Sequence, residues 1–120
     1  MSQVKILRGA DSGHVSAEWG ELTWYASAEL GNSDEMTVGK CVIKPGCANP
    51  LHAHPNCSEI LVVQQGTIRH TIDAGREVEM TAGDTITVPV DLPHQARNVG
   101  KEDAVLLIAF SSADRRTEGH

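Results

Sequence analysis

Short runs of alternating apolar and polar residues recur along the chain, each cut off by Gly, Pro or Asp. No stretch carries the three-to-four spacing of an amphipathic helix. That pattern predicts an all-β fold, a sandwich or barrel built from many short strands. The expected strands begin at Val4 and Ile6 and continue at 21–30, 35–43, the segment carrying His52 and His54, 58–65, 67–72, 76–80, 85–88, 94–98 and 104–110. The last of these, AVLLIAF, is apolar on both faces. One face can fill a barrel, and the other then needs a second sheet or a partner subunit, so a homodimer is expected. With 120 residues the chain makes one domain, expected over 1–110. Residues 111–120 are polar and charged and are expected to fray.

Composition narrows the function classes. Hydrophobic residues make up 40% of the chain and charged residues 22%, which excludes a disordered protein. The net charge of −6 argues against nucleic acid or an anionic membrane as partner. The N-terminal stretch MSQVKILRGADSG has neither a long apolar segment nor a cleavage-like site, and no stretch approaches a membrane span. Cys41, Cys47 and Cys57 are an odd set without framework spacing, as expected of free thiols in a reducing, cytoplasmic compartment.

The chemistry concentrates between residues 46 and 66, GCANPLHAHPNCSEILVVQQG. His52 and His54 are two apart, so on a strand they face the same side, with Cα atoms roughly 7 Å apart at about 3.4 Å rise per residue. Two imidazoles so placed can converge on one metal ion, and Glu59 can return a carboxylate to it after a short loop. His94 is the best fourth ligand, from a strand that can lie opposite. Three imidazoles and a carboxylate leave positions open on a six-coordinate ion, which marks a reactive or substrate-binding centre. Such ligands do not choose among Fe(II), Mn(II), Ni(II) and Zn(II).

The spacing of these residues resembles the two motifs of the cupin superfamily. Gly46, His52, His54, Glu59 and Gly66 are in register with the first motif, and Gly83, Pro89, His94 and Asn98 with the second. One position departs: the glycine usual after the proline is Asp91 here, which touches the turn and no ligand. Sixteen residues separate Gly66 from Gly83, as in small single-domain cupins. The resemblance implies a double-stranded β-helix, or jelly roll, with one divalent ion bound inside the barrel by His52, His54, Glu59 and His94.

Beyond the ligands, His70 shares a strand face with Ile68 and Ile72. If that face points inward, His70 is either a pocket acid or base, or a core-edge histidine bonded to a backbone carbonyl. Val38, Leu61, Val63, Ile86 and Val88 are expected to line a mostly apolar pocket. Cys57 reads as a small buried residue or a reactive thiol, Trp24 and Tyr25 as pocket mouth or packing, and Asn98 as a turn-tying amide. Arg69, Arg97, Arg115 and Arg116 read as surface charges. Cupins with this ligand set include dioxygenases, decarboxylases, isomerases and non-catalytic binders. The expected protein is a metal-dependent enzyme acting on a small organic substrate, of dioxygenase or Lewis-acid lyase or isomerase type. Glu59 would serve as ligand or base. The alternative is a non-catalytic small-molecule-binding or sensor protein.

Overall fold

A computed structural model describes residues 3–120; the first two residues of the barrel expected over 1–110 lie outside the described residues. After a 3-10 turn at Gly9–Asp11 come β1 (Gly13–Ala17), β2 (Gly20–Ala26) and β3 (Thr37–Ile43). The short β4 (His52–Ala53) precedes β5 (Glu59–Gln65), β6 (Thr67–Asp73), β7 (Arg76–Thr81) and β8 (Thr85–Val88). The chain ends with β9 (Ala96–Asn98), β10 (Ala104–Phe110) and β11 (Glu118–Gly119). Among the described residues no helix is long and apolar enough to cross a membrane.

One sheet runs β1-β2-β3-β10-β5-β8, with antiparallel neighbours throughout. The other is built on β7-β6-β9. Bridges from Ala48 to Arg97 and from His52 to His94 extend it to β4, which pairs in turn with β11. The core fills the space between. On β10 the buried side chains are Ala104, Leu106, Ile108 and Phe110, alternating as the two-residue period demands. On β3 the buried positions are Thr37, Gly39, Cys41 and Ile43. Leu61, Val63, Ile68, Met80 and Ala96 meet them from β5, β6, β7 and β9. Burying each Leu or Ile side chain stabilises the fold by about 1.5–3 kcal/mol. With one Phe in the chain, the aliphatic set carries that burden.

Gly39 shows how a glycine shapes the pocket. The ring of Trp24 lies on it, and a Cβ there would stand 2.5 Å from ring atom Cε3. Any other residue at 39 would push the tryptophan away.

Several expectations are corrected. Val4 and Ile6 form no strand and are 78% and 71% exposed, because among the described residues no strand pairs with that segment. Ile72 turns outward, because the β6–β7 register shifts between Thr71 and Asp73; Ile68 and His70 do point in. The tail does not fray. Ala28 N–H donates to the Ala113 carbonyl, the Asn56 amide brackets Asp114 O and Arg116 N, and β11 pairs with β4.

Candidate metal centre

Backbone pairing sets the ligands face to face. His52 and His94 exchange both backbone hydrogen bonds, at 3.1 and 2.7 Å, so their side chains leave the sheet side by side. Only His52–Ala53 counts as strand; His54 follows immediately, before the turn at Pro55 and Asn56. Glu59 is the first residue of β5, on the facing sheet. The loop leading to His94 is pinned where Asp91 N–H donates to the His54 carbonyl at 3.0 Å. Asp91 has φ 67°, the left-handed conformation a glycine would hold without steric penalty. Asp91→Gly should therefore raise stability, by about 0.5 kcal/mol after the extra chain entropy of glycine is offset. Thermal unfolding should show a midpoint higher by roughly 2–4 °C; a lower midpoint would contradict this account of the turn.

One ligand atom from each of His52, His54, Glu59 and His94 lies within 4.8 Å of the other three. The three imidazole centroids are 4.3–5.1 Å apart. His54, Glu59 and His94 are buried and His52 is partly so. Each imidazole has its Nδ1 on a backbone carbonyl: His52 on Pro50 at 2.7 Å, His54 on Arg116 at 2.9 Å, His94 on Leu92 at 2.7 Å. A carbonyl oxygen only accepts, so Nδ1 carries the proton and the neutral ring's lone pair is on Nε2, facing the cluster.

Glu59 Oε1 accepts from His94 Nε2 at 3.1 Å when that ring is protonated. His54 Nε2 lies 3.4 Å from the same oxygen, completes no hydrogen bond, and is buried. A buried nitrogen without a partner is costly, and a cation among these atoms would satisfy it. The charges agree. Burial would raise the pKa of Glu59, but the His54 and His94 imidazoles outweigh it and hold the carboxyl down at about 2. Burial lowers His52 to about 4, against the bond to Pro50. For His94 burial also acts downward, but the bonds to Glu59 and the Leu92 carbonyl outweigh it and raise the pKa. One permanent carboxylate and imidazoles presenting Nε2 fit a divalent transition metal.

The cluster opens into a pocket of about 350 Å³ walled by Trp19, Leu22, Trp24, Leu61, Leu106 and Phe110. Of the five residues expected to line it, only Leu61 does. Val38 is on the outer face of β3, and Val63 and Val88 are buried in the barrel away from the cavity. Cys41 is part of the wall; burial, with Glu59 nearby, pushes its thiol up to about 12, so it is inert. Cys57 is buried, its pKa also raised by burial. Trp24 lines the pocket, whereas Tyr25 does not.

His70 is buried, with Nδ1 2.8 Å from the Thr71 carbonyl and its ring stacked on His94 at 5.6 Å between centroids. It is not part of the pocket wall. The Asn98 amide bonds the Ile43 and Glu102 carbonyls and accepts from Gly100 N–H, tying the turn as expected. Arg97 pairs with Glu77 on the outer surface through two bonds of 2.8 and 3.0 Å. Two contributions escaped the sequence reading. Arg115 reaches the pocket, and the Arg116 carbonyl orients His54. Neither had a signal in residue type or spacing, since the tail reads as uniformly polar.

Three imidazoles and a carboxylate gathered between two antiparallel sheets define a jelly-roll protein with an internal metal-binding cluster. The chain belongs to the cupin family: the cupin domain matches residues 39–110. It is 30% identical over 108 residues to oxalate oxidase 2 of Hordeum vulgare, covering 84% of this chain and 46% of that protein. It is 32% identical over 120 residues to germin-like protein 3-5 of Oryza sativa subsp. japonica, covering 90% and 51%. Oxalate decarboxylase of Bacillus subtilis, solved as its S161A mutant, superposes with a TM-score of 0.84 at 26% identity, over 93% of this chain and 31% of that one. The chain thus spans about half the length of these curated relatives. Mn(II) centres are described for the Bacillus decarboxylase.

Proposed function

We propose that this protein is a metal-dependent enzyme acting on a small organic acid, with His52, His54, Glu59 and His94 holding one divalent ion. The observation that carries the reading is the convergence of these four donors at the wall of an open, largely apolar pocket. The relatives named for oxalate oxidation and decarboxylation support the substrate class. A bound ion would draw substrate oxygens to its free positions and polarise them or, if redox-active, activate dioxygen. The protein's own groups supply the rest. Three backbone carbonyls hold the imidazoles in place, Glu59 keeps a negative charge on the buried side, and the apolar wall excludes water around the substrate. The barrel and the tail form one working unit in this reading, because the tail supplies the acceptor for His54.

The test is metal analysis of protein purified without added metal, followed by oxygen-uptake and product screens over small organic acids. One ion per chain and chelator-sensitive turnover are expected. Protein without an ion would sink the reading. Stoichiometric metal without turnover would favour the second reading, a binding or sensor module, which the position of His70 supports: among the described residues the pocket wall adds no carboxylate or imidazole to those of the ligand cluster.

His70, as the candidate acid or base, is better placed to hold His94 through stacking than to touch substrate. His70→Gln should keep the metal and change turnover by less than about tenfold, below the 100-fold or more that a general acid or base contributes. A larger loss with metal retained and the pH–rate profile altered would restore the acid–base role.

We also propose a homodimer in a reducing, cytoplasmic compartment, without nucleic acid or membrane as partner. Leu107 and Ile60 are 40% and 47% exposed on the outer face of β10 and β5, an apolar surface that a second copy would cover. The free state of Cys41, Cys47 and Cys57 supports the compartment. Light scattering at micromolar concentration should give twice the mass of the chain; a single-chain mass would argue against the dimer.

A further inference from the structure

Arg115 brings a positive charge into the pocket that also holds His52, His54 and Glu59. Its Cζ lies 4.4 Å from the centroid of the Trp24 ring and 5.2 Å from that of Phe110. Stacking uses the faces of a guanidinium and leaves its N–H donors, which radiate in the plane, free to bond. One of them donates to Thr117 Oγ1 at 2.6 Å. Among the described residues, the arginines in ion pairs are Arg69, Arg76 and Arg97, and no carboxylate pairs with Arg115. Arg97 shows the contrast: it forms a two-bond ion pair with Glu77 and lies outside the pocket. A half-buried guanidinium with one protein hydrogen bond, among the residues that line this apolar cavity and also a second, more polar one beside His14, Glu29 and Asp114, is a waiting partner for an oxyanion.

The rest of the pocket says what that anion is attached to. Apart from the metal ligands, the wall is mainly Trp19, Leu22, Trp24, Leu106, Ile108 and Phe110. About 350 Å³ of mostly apolar space far exceeds what a bare two-carbon dianion such as oxalate fills, and it would leave such an anion's surroundings unsatisfied. We propose that Arg115 is the specificity-determining residue of this site, binding the carboxylate of an organic acid whose body is apolar and larger than oxalate. The assignment rests on the metal-centre reading above and deepens it by naming the head group, the body and the residue that recognises the head.

Phenylacetate, its neutral counterpart phenylacetamide, and acetate serve as probes. The only two tryptophans, Trp19 and Trp24, both line the pocket, so intrinsic fluorescence reads occupancy directly. Binding is measured on protein as purified, with metal content determined on the same samples. Phenylacetate should bind about tenfold or more tighter than phenylacetamide, the effect of a charge-assisted pair, and clearly tighter than acetate. Arg115→Met should abolish the preference for the acid over the amide and leave metal content unchanged. Arg115→Lys, which keeps the charge but loses the planar fork, should retain part of it. If the preference survives in Arg115→Met, the metal rather than the arginine carries it, and the proposal falls. It falls also if both probes weaken equally, because Arg115 then only docks the tail. Acetate binding as well as phenylacetate would overturn the apolar body. Samples without an ion would sink the metal reading, while the acid–amide comparison would still decide the role of Arg115.

Discussion

Acidification will strip the metal from this protein, and Glu59→Gln will prevent its binding even at neutral pH. Each imidazole must offer an unprotonated Nε2, because its Nδ1 is committed to a carbonyl. His94 has its pKa raised, the bonds to Glu59 and Leu92 outweighing burial, so protons compete there from above the ordinary 6.5. His52, lowered by burial to about 4, and Glu59, held at about 2, do not compete in that range. Affinity should therefore fall at least roughly tenfold per pH unit once the pH drops below the His94 pKa, since protonation of that ring alone displaces the ion. A metal titration flat between about pH 5 and 8, the window of histidine titration, would contradict this. In the metal-free protein the depressed Glu59 contributes stability that is present above its unfolded pKa of 4.5 and lost as the pH falls towards about 2. Glu59→Gln keeps the shape and removes the only carboxylate of the cluster. The loss of affinity should exceed the roughly 100-fold that removal of a supporting partner costs. A stoichiometric ion in the purified variant would refute the assignment of Glu59.

Deleting residues 115–120 should weaken metal binding by about 10–100-fold while leaving the barrel folded. The deletion removes the Arg116 carbonyl that holds His54 Nδ1 at 2.9 Å, and the Thr117 hydroxyl 3.2 Å from the same nitrogen. It also removes β11, the partner of β4, which carries His52. The buried core lies before this segment, between Cys41 and Phe110, so circular dichroism should change little. A competition titration with a chromophoric chelator measures the effect; unchanged affinity would mean that the tail is not part of the centre.

The ligand set was legible because it is local. His52 and His54 obey the two-residue period of one extended segment, and the framing glycines and proline mark where each segment turns. β8 and β10 match the expected bounds because clear turn residues flank alternating side chains. On β3 alternation alone misled, since both faces carry apolar residues: Cys41 and Ile43 point in, while Val38 was the residue assigned to the pocket. Ile72 failed because a shift in register between β6 and β7 leaves no mark in composition. The tail failed for a different reason. Its docking rests on backbone carbonyls, the Asn56 amide and a guanidinium stacked on Trp24, none of which forms an apolar pattern.

The three acceptors behind the imidazoles are the main-chain oxygens of Pro50, Leu92 and Arg116. Every amino acid possesses that oxygen. Substitution at these positions can therefore alter the side chain freely while the hydrogen bond persists, provided the local path of the chain is kept. A saturation scan would score 92 and 116 as tolerant beside intolerant histidines, although each supports one of them. Rules for grafting such a centre onto another scaffold would then have to copy a trace of the backbone, because a list of amino acids would omit half of what holds the rings.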